Sequence, residues 1–226
     1  MTLHGSARLN ALSALLVLMG AVACSGSQKA VSTAPKPETV HGDIASAKPD
    51  SNRFAFTEAD VQFMTGMISH HAQAIAMAKL APERTESQSM RTLAGRIINA
   101  QGDEIAIMQN WLRDRGQPVP EPNPKGMTHT MGGEQHVMLM PGMLTDEQMK
   151  QLEAARGTQF DKLFLQLMIQ HHRGAVSMVK DLFNSYGAGQ DETVFKFASD
   201  VNVDQTTEIA RMERMLFAIM IENKTP

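Results

Sequence analysis

The chain has 226 residues, with 21 lysines and arginines against 24 aspartates and glutamates. This length allows one domain with tails or two small domains, and a mildly acidic chain without a basic block argues against nucleic acid as a partner. A single cysteine excludes an intrachain disulfide and a cysteine-based zinc site, whereas 18 methionines supply an unusual number of polarizable thioethers.

Residues 1–24 are typical of a lipoprotein-type signal peptide. An apolar run from Leu12 to Val22 follows Arg8 and leads through small residues to Cys24. The run is too short to span a bilayer but has the length of a signal-peptide core. We expect an exported lipoprotein, anchored through lipidated Cys24 and facing the periplasm or the cell exterior. Plain secretion with a nearby cleavage site is the alternative.

Residues 25–53 are rich in Ser, Ala, Pro and Lys and contain almost nothing to bury. This composition predicts a flexible tether between the anchor and the folded region.

Residues 54–222 contain the start and stop signals of a helical domain. Capping boxes are predicted at Thr57–Asp60, Thr158–Asp161 and Thr145–Gln148. We read long helices in four places: from Thr57 to Ala81-Pro82, from Ser87 to Gly116, from Thr158 to Gly187, and from Glu192 to Glu222. No segment shows strand alternation. The predicted fold class is therefore all-α, an antiparallel four-helix bundle of two helical hairpins joined by a Met/His-rich loop at residues 118–144.

The chain contains an internal repeat. Residues 57–79 and 158–180 align at a constant offset, and a Q-x-x-E-I-x-x-M segment follows each copy, starting at Gln101 and Gln205. The aligned candidate metal ligands are His70 and His171, His71 and His172, Met67 and Met168, Met77 and Met178, and Glu104 and Glu208.

Adjacent residues on a helix point about 100° apart, so the two histidines of each pair cannot share a direction. The apolar pattern places His71 and His172 on the inward face, and His70 and His171 on a flank toward a neighbouring helix or solvent. Buried histidines satisfied by glutamine or glutamate are the simpler interpretation. Methionines in register with the histidines favour a metal site instead, because imidazole with thioether suits copper and especially Cu(I). Asp60 and Asp161 are read as structural caps, and Met64, Met108 and Met212 as core packing.

The predicted loop holds further soft ligands between glycines and prolines. Flexible thioethers and imidazoles can wrap a soft cation, although a cover over one end of the bundle is an alternative that could also hold. The candidates are Met127, His129, Met131, His136, Met138, Met140 and Met143.

The doubled M-I-x-H-H-x-x-A-[IV]-x-M motif, the Q-x-x-E-I-x-x-M helix and the Met-Pro-Gly-Met-Leu junction together resemble the DUF305 family, whose described members include CopM-like secreted copper-binding proteins. The resemblance covers roughly residues 54–222. It implies a ferritin-like four-helix bundle and, for some members, extracytoplasmic copper binding.

Three functions remain open at this level. The leading one is a non-enzymatic protein that sequesters or passes on a metal ion outside the cytoplasm, with copper favoured over other divalent metals. The second is an envelope interaction or stress module with structural histidines, which could act as a homo-oligomer or with an envelope protein. The third is a ferritin-like metal oxidase, disfavoured because neither Glu104 nor Glu208 has a histidine three residues on.

Overall fold

The computed structural model describes residues 55–132 and 134–222, apart from the side chains of residues 129–131 and 135. This part of the chain is mostly helical, which confirms the helical prediction. None of its helices is long and apolar enough to cross a membrane. The elements are α1 (Glu58–Ala78), α2 (Ala81–Arg84), α3 (Gln88–Asp114), β1 (Met127–Met131), β2 (Glu134–Met138), α4 (Asp146–Ala154), α5 (Gly157–Asn184) and α6 (Glu192–Glu222).

The predicted capping box at the start of α1 is confirmed. Thr57 Oγ1 accepts a hydrogen bond from the backbone N–H of Asp60 at 3.2 Å, and Asp60 Oδ2 accepts one from the backbone N–H of Thr57 at 2.7 Å. Asp60 Oδ1 also accepts from the backbone N–H of Gly189 at 2.7 Å. Asp60 therefore fixes the start of α1 to the turn between α5 and α6, in agreement with its predicted structural role.

The capping box predicted at Thr158–Asp161 is wrong. Helix α5 begins one residue earlier, at Gly157, after Arg156 as an N-cap without a side-chain cap bond. The guanidinium of Arg156 instead donates hydrogen bonds to backbone carbonyls at the C-terminal end of α4, including those of Ala154 and Ala155. Gly157 adopts a φ of +55° there, which a glycine tolerates at little cost, and Asp161 lies inside the helix.

The four long helices pack in two pairs. Helix α1 lies against α3, α5 lies against α6, and the pairs meet through α1 and α5. Two apolar clusters fill the interior, one around Phe63 and Trp111 and the other around Phe160 and Phe164. Met64, Met108 and Met212 are fully buried in these clusters, as predicted for packing residues.

Asp191 joins the end of α3 to the start of α6. Its Oδ1 accepts from Trp111 Nε1 at 3.0 Å and from the backbone N–H of Val194 at 3.1 Å, and its Oδ2 accepts from Arg115. Burial alone would raise the pKa of Asp191, but the hydrogen bonds from Trp111 and Arg115 outweigh it and lower that pKa. The charged carboxylate is therefore the form that caps α6.

The segment predicted as a loop without strands contains a β-hairpin. Strands β1 and β2 pair antiparallel, with Met127 opposite Met138 and His129 opposite His136. The signal was present in the sequence, because Met, His and Met alternate with Thr in β1 and the strands are separated by Gly132 and Gly133. The prediction that no segment shows strand alternation is therefore wrong for residues 127–138.

Candidate metal centre

Two histidines meet where α1 contacts α5. The rings of His70 and His171 lie with centroids 3.8 Å apart and planes tilted by 39°. Both side chains are fully buried, as are those of His71 and His172. The flanking histidines therefore face the neighbouring helix, and the solvent-facing alternative is wrong.

The partners of the Nε2 atoms follow a common pattern. Nε2 of His70 donates to the carbonyl of Pro141 at 3.0 Å, and Nε2 of His172 donates to Glu208 Oε2 at 2.8 Å. Nε2 of His71 lies 2.7 Å from Glu104 Oε2, without the alignment of a hydrogen bond. The carboxylate and carbonyl partners thus lie on the Nε2 side of these three rings.

The opposite side of each ring has no partner. Within the described residues, Nδ1 of His70, His71, His171 and His172 accepts and donates no hydrogen bond, and Nε2 of His171 is also unpartnered. Metal-binding histidines commonly use one nitrogen for the ion and give the other N–H to a carbonyl or carboxylate. The unpartnered nitrogens therefore have the chemistry to bind a metal ion.

The electrostatics keep the central pair neutral. Burial, reinforced by the neighbouring imidazole of His71, lowers the pKa of His70 to about 3. Burial and the nearby imidazoles of the other three histidines lower the pKa of His171 well below its usual range. Neutral imidazole is the form that binds a metal ion, so no proton has to leave these rings at neutral pH.

Two methionines pack against α1 one helical turn before His70. Gly66 precedes His70 by one helical turn, and a Cβ on Gly66 would meet Met140 Sδ at 2.9 Å and Met178 Cε at 3.5 Å. Residues i and i+4 share one helix face, so Met140 and Met178 lie on the side of α1 that carries His70. Both methionines line a cavity of about 220 Å³. The absent side chain of Gly66 therefore leaves room for the sulfur of Met140 against α1, one turn from His70.

The structure does not bring all predicted ligands together. Met67, Met77 and Met168 are fully buried in the apolar clusters, and Met143 is also buried. Met138 is exposed on the hairpin, Met127 is half-buried and His136 is exposed. The side chains of His129 and Met131, the signal peptide with Cys24, and the predicted tether lie outside the described residues.

The segment around Pro141 covers the pair, as in the alternative of a cover over one end of the bundle, but sequence reasoning did not identify the residues that hold it. Gln73 holds it by donating to the carbonyls of Pro124 and Leu144, both at 3.0 Å, and by accepting from the backbone N–H of Leu144 at 2.6 Å. On the side of α5, the backbone of Pro141 packs directly against Gly174. Gln73 and Gly174 occupy equivalent positions of the repeat, and this mismatch between the copies was the available signal.

Among the residues that the structure describes, no three His, Cys, Asp or Glu side chains are placed to hold one ion together. The fold and the centre define a helical protein with a buried pair of imidazoles at the contact between two of its helices. Residues 60–216 match the family model described as a domain of unknown function, DUF305. The chain belongs to the DUF305 family.

Solved structures resemble most of this chain. A DUF305 protein from Streptomyces coelicolor, assigned as secreted, is 32% identical with a TM-score of 0.59, over 71% of this chain and 93% of that one. A DUF305 fragment from Deinococcus radiodurans is 31% identical with a TM-score of 0.59, over 72% and 98%. CopM in its Cu(I)-bound form is 28% identical with a TM-score of 0.52, over 69% and 94%.

CopM has also been solved in Cu(II)-bound and Ag-bound forms. An uncharacterized protein of Acanthamoeba polyphaga mimivirus is 41% identical over 56 residues, which are 25% of this chain and 37% of that protein. This chain thus matches little more than a third of the length of the viral relative.

Proposed function

We propose that this protein binds copper outside the cytoplasm, without catalysis, and sequesters the ion or passes it on. One observation carries the proposal: His70 and His171 are buried, neutral and short of hydrogen-bond partners, and Met140 and Met178 pack against α1 one helical turn from His70. Neutral imidazole with thioether is a ligand set that suits Cu(I). The copper-bound and silver-bound forms of the related CopM support the same choice of ion.

The cavity beside Met140 and Met178 supports a route for the ion. It is lined by Gln62, Asp181 and Ser185 as well as by the two methionines, so polar groups accompany the thioethers. In this proposal Met140 and Met178 receive the ion and His70 and His171 hold it.

The β-hairpin supports a second, looser binding region. Successive strand residues alternate between faces, so positions 127, 129 and 131 share a face with positions 136 and 138 across the pair. These are the five positions in the hairpin that carry methionine or histidine. In this proposal they capture soft ions and deliver them to the buried pair.

The finer arrangement of the helices and the location in the cell belong to this proposal. The two helix pairs joined through α1 and α5 support an antiparallel, ferritin-like four-helix bundle. The signal-like residues before Cys24 support export and a lipid anchor. Mass spectrometry of the N-terminal peptide from membranes tests the anchor, since an unmodified Cys24 would contradict it.

A Cu(I) competition titration with a chromogenic chelator tests the ion and the site. We expect the chain of residues 25–226 to withdraw Cu(I) from the chelator, and both His70→Asn/His171→Asn and Met140→Leu/Met178→Leu to weaken binding at least about tenfold. Met64→Leu is the matched control, because Met64 is fully buried in the same helix as His70 but does not line the cavity of Met140 and Met178. It should bind as the wild type does.

Absence of Cu(I) binding by the folded wild type would reject the copper proposal. The histidines would then be structural, as in the envelope interaction module considered above. Equal loss of affinity in Met64→Leu would instead show that the variants act through stability and would reject this assignment of the site.

A further inference from the structure

The two Q-x-x-E segments of the repeat meet at one cavity. Gln101 and Glu104 of α3 and Gln205 and Glu208 of α6 line a cavity of about 170 Å³, together with Asp204. Each half of the repeat therefore supplies the same pair of side chains. Glu104 and Glu208, which line this cavity, also contact the Nε2 atoms of His71 and His172, respectively.

The two glutamines lack a partner for their oxygen atoms. Gln101 is 3% exposed and Gln205 is 4% exposed, and neither Oε1 has a hydrogen-bond partner within the described residues. A buried acceptor without a partner costs roughly 1–3 kcal/mol, so two equivalent ones in one cavity call for a ligand. Because a carbonyl oxygen can only accept or coordinate, that ligand is a donor or a cation.

The charges around the cavity favour the cation. Asp204 lines the cavity together with Glu104 and Glu208. The ammonium of Lys196 lies 2.5 Å from Asp200, so its closest carboxylate is outside the cavity. Three carboxylates thus line one small space, which a positive ion would stabilise.

We propose that this cavity binds one hydrated hard divalent cation of the Ca²⁺, Mg²⁺ or Mn²⁺ class, held by Glu104, Glu208 and the amide oxygens of Gln101 and Gln205. Carboxylate and amide oxygens are the ligands these ions prefer, whereas the sulfur and imidazole at the α1–α5 contact suit a soft ion. The volume exceeds that of a bare ion and admits several waters at about 30 Å³ each. Such waters would connect the ion to Asp204.

Calorimetric titration with Ca²⁺ and electron paramagnetic resonance of added Mn²⁺ test this site on the chelator-treated chain of residues 25–226. We expect one saturable site. Gln101→Leu/Gln205→Leu should weaken binding at least about tenfold and Asp204→Asn several-fold, because affinity follows the number and charge of the oxygen ligands. Gln205→Glu should tighten binding, a gain that a merely structural role for Gln205 would not produce.

Asp200→Asn is the matched control, because it removes the same charge one turn away on α6 from a side chain that is 54% exposed. It should leave the affinity within about twofold. Failure of the folded wild type to take up either ion would overturn the proposal. So would equal weakening by Asp200→Asn and Asp204→Asn, or no tightening by Gln205→Glu. Thermal unfolding shows whether Gln101→Leu/Gln205→Leu folds. If it does not fold, Asp204→Asn and Gln205→Glu decide the test.

This inference stands apart from copper binding. Cu(I) competition on the same variants separates the two, since retained Cu(I) affinity without Ca²⁺ or Mn²⁺ uptake would remove only the oxygen site. The reverse result would remove only the copper proposal.

Discussion

His70 and His171 lie with their ring centroids 3.8 Å apart at the contact between α1 and α5. Each ring comes from one copy of the repeat, so neither half of the chain contains the pair alone. The carbonyl of Pro141, in the segment that joins the halves, accepts the Nε2–H of His70. Assembly of the candidate centre therefore requires both helix pairs and the connection between them.

Acidification should destabilise the protein through this pair. The folded-state pKa of His70 is about 3 and that of His171 is also lowered, against a usual value of 6.5. The unfolded chain therefore binds more protons, and the free energy of unfolding should fall as the pH drops from 6.5 toward 3. Urea unfolding at pH 7.0, 5.5 and 4.5 measures the slope.

Replacement of one of the two histidines should reduce the dependence of the free energy of unfolding on pH. We expect His70→Gln to lose less stability than the wild type between pH 6.5 and 4.5, whatever its stability at pH 7. His136→Gln, at an exposed position of β2, should retain the wild-type slope. A wild-type slope in His70→Gln would show that the buried pair does not govern the acid response.

Gly174→Ala should displace the segment over the histidines. A Cβ on Gly174 would lie 1.9 Å from the carbonyl oxygen of Pro141, which requires the backbone to move. We expect a loss of roughly 2–3 kcal/mol in urea unfolding. Gly95→Ala, also inside a helix but with no atom within 4 Å of the added carbon, should instead gain up to about 1 kcal/mol. Similar effects of both substitutions would contradict the close approach.

Asp60→Ala should cost more than the loss of an ordinary helix cap. Its carboxylate accepts from Thr57 at the start of α1 and from Gly189 in the α5–α6 turn. Removal leaves these donors without partners, and we expect a loss of about 3 kcal/mol in urea unfolding. Asp146→Ala removes an exposed carboxylate from the first turn of α4 and should cost less than about 1 kcal/mol. A small effect at Asp60 would refute the bridging role.

Asp161→Asn should stabilise the protein at neutral pH. Burial raises the pKa of Asp161, while a hydrogen bond from Thr85 and the charge of Arg91 oppose that rise. The folded state therefore binds the proton more tightly than the unfolded state, and stability falls as the pH rises through the folded-state pKa. The advantage of Asp161→Asn should thus be larger at pH 7 than at pH 4 in paired urea unfolding curves.

Asp103→Asn is the matched control for that prediction, because it removes the same charge from an exposed position of α3. A stability gain at Asp161 that is equal at both pH values would refute the buried-carboxylate explanation.

The helices follow local rules, and the sequence predicted them well. Capping residues at Thr57 and Thr145 and the stop at Gly116 predicted boundaries close to those of α1, α4 and α3. The error at Thr158 arose because two local starts competed, and the bonds of Arg156 to the end of α4 favoured the earlier one. The hairpin was missed although its alternation and its glycine pair were present in the sequence.

In the candidate site, too, some features follow from local sequence and others from tertiary packing. The repeat and the helical period by themselves determined that the two rings of each His-His pair point in different directions, one of them toward the partner helix of its hairpin. Both features depend on residues only a few positions apart in the chain. Only the tertiary structure decided that His70 meets His171, that Met140 reaches Gly66, and that two glutamines face one acidic cavity. Those contacts join residues far apart in the chain, and their distances depend on how the helices pack and where the connecting segment crosses them.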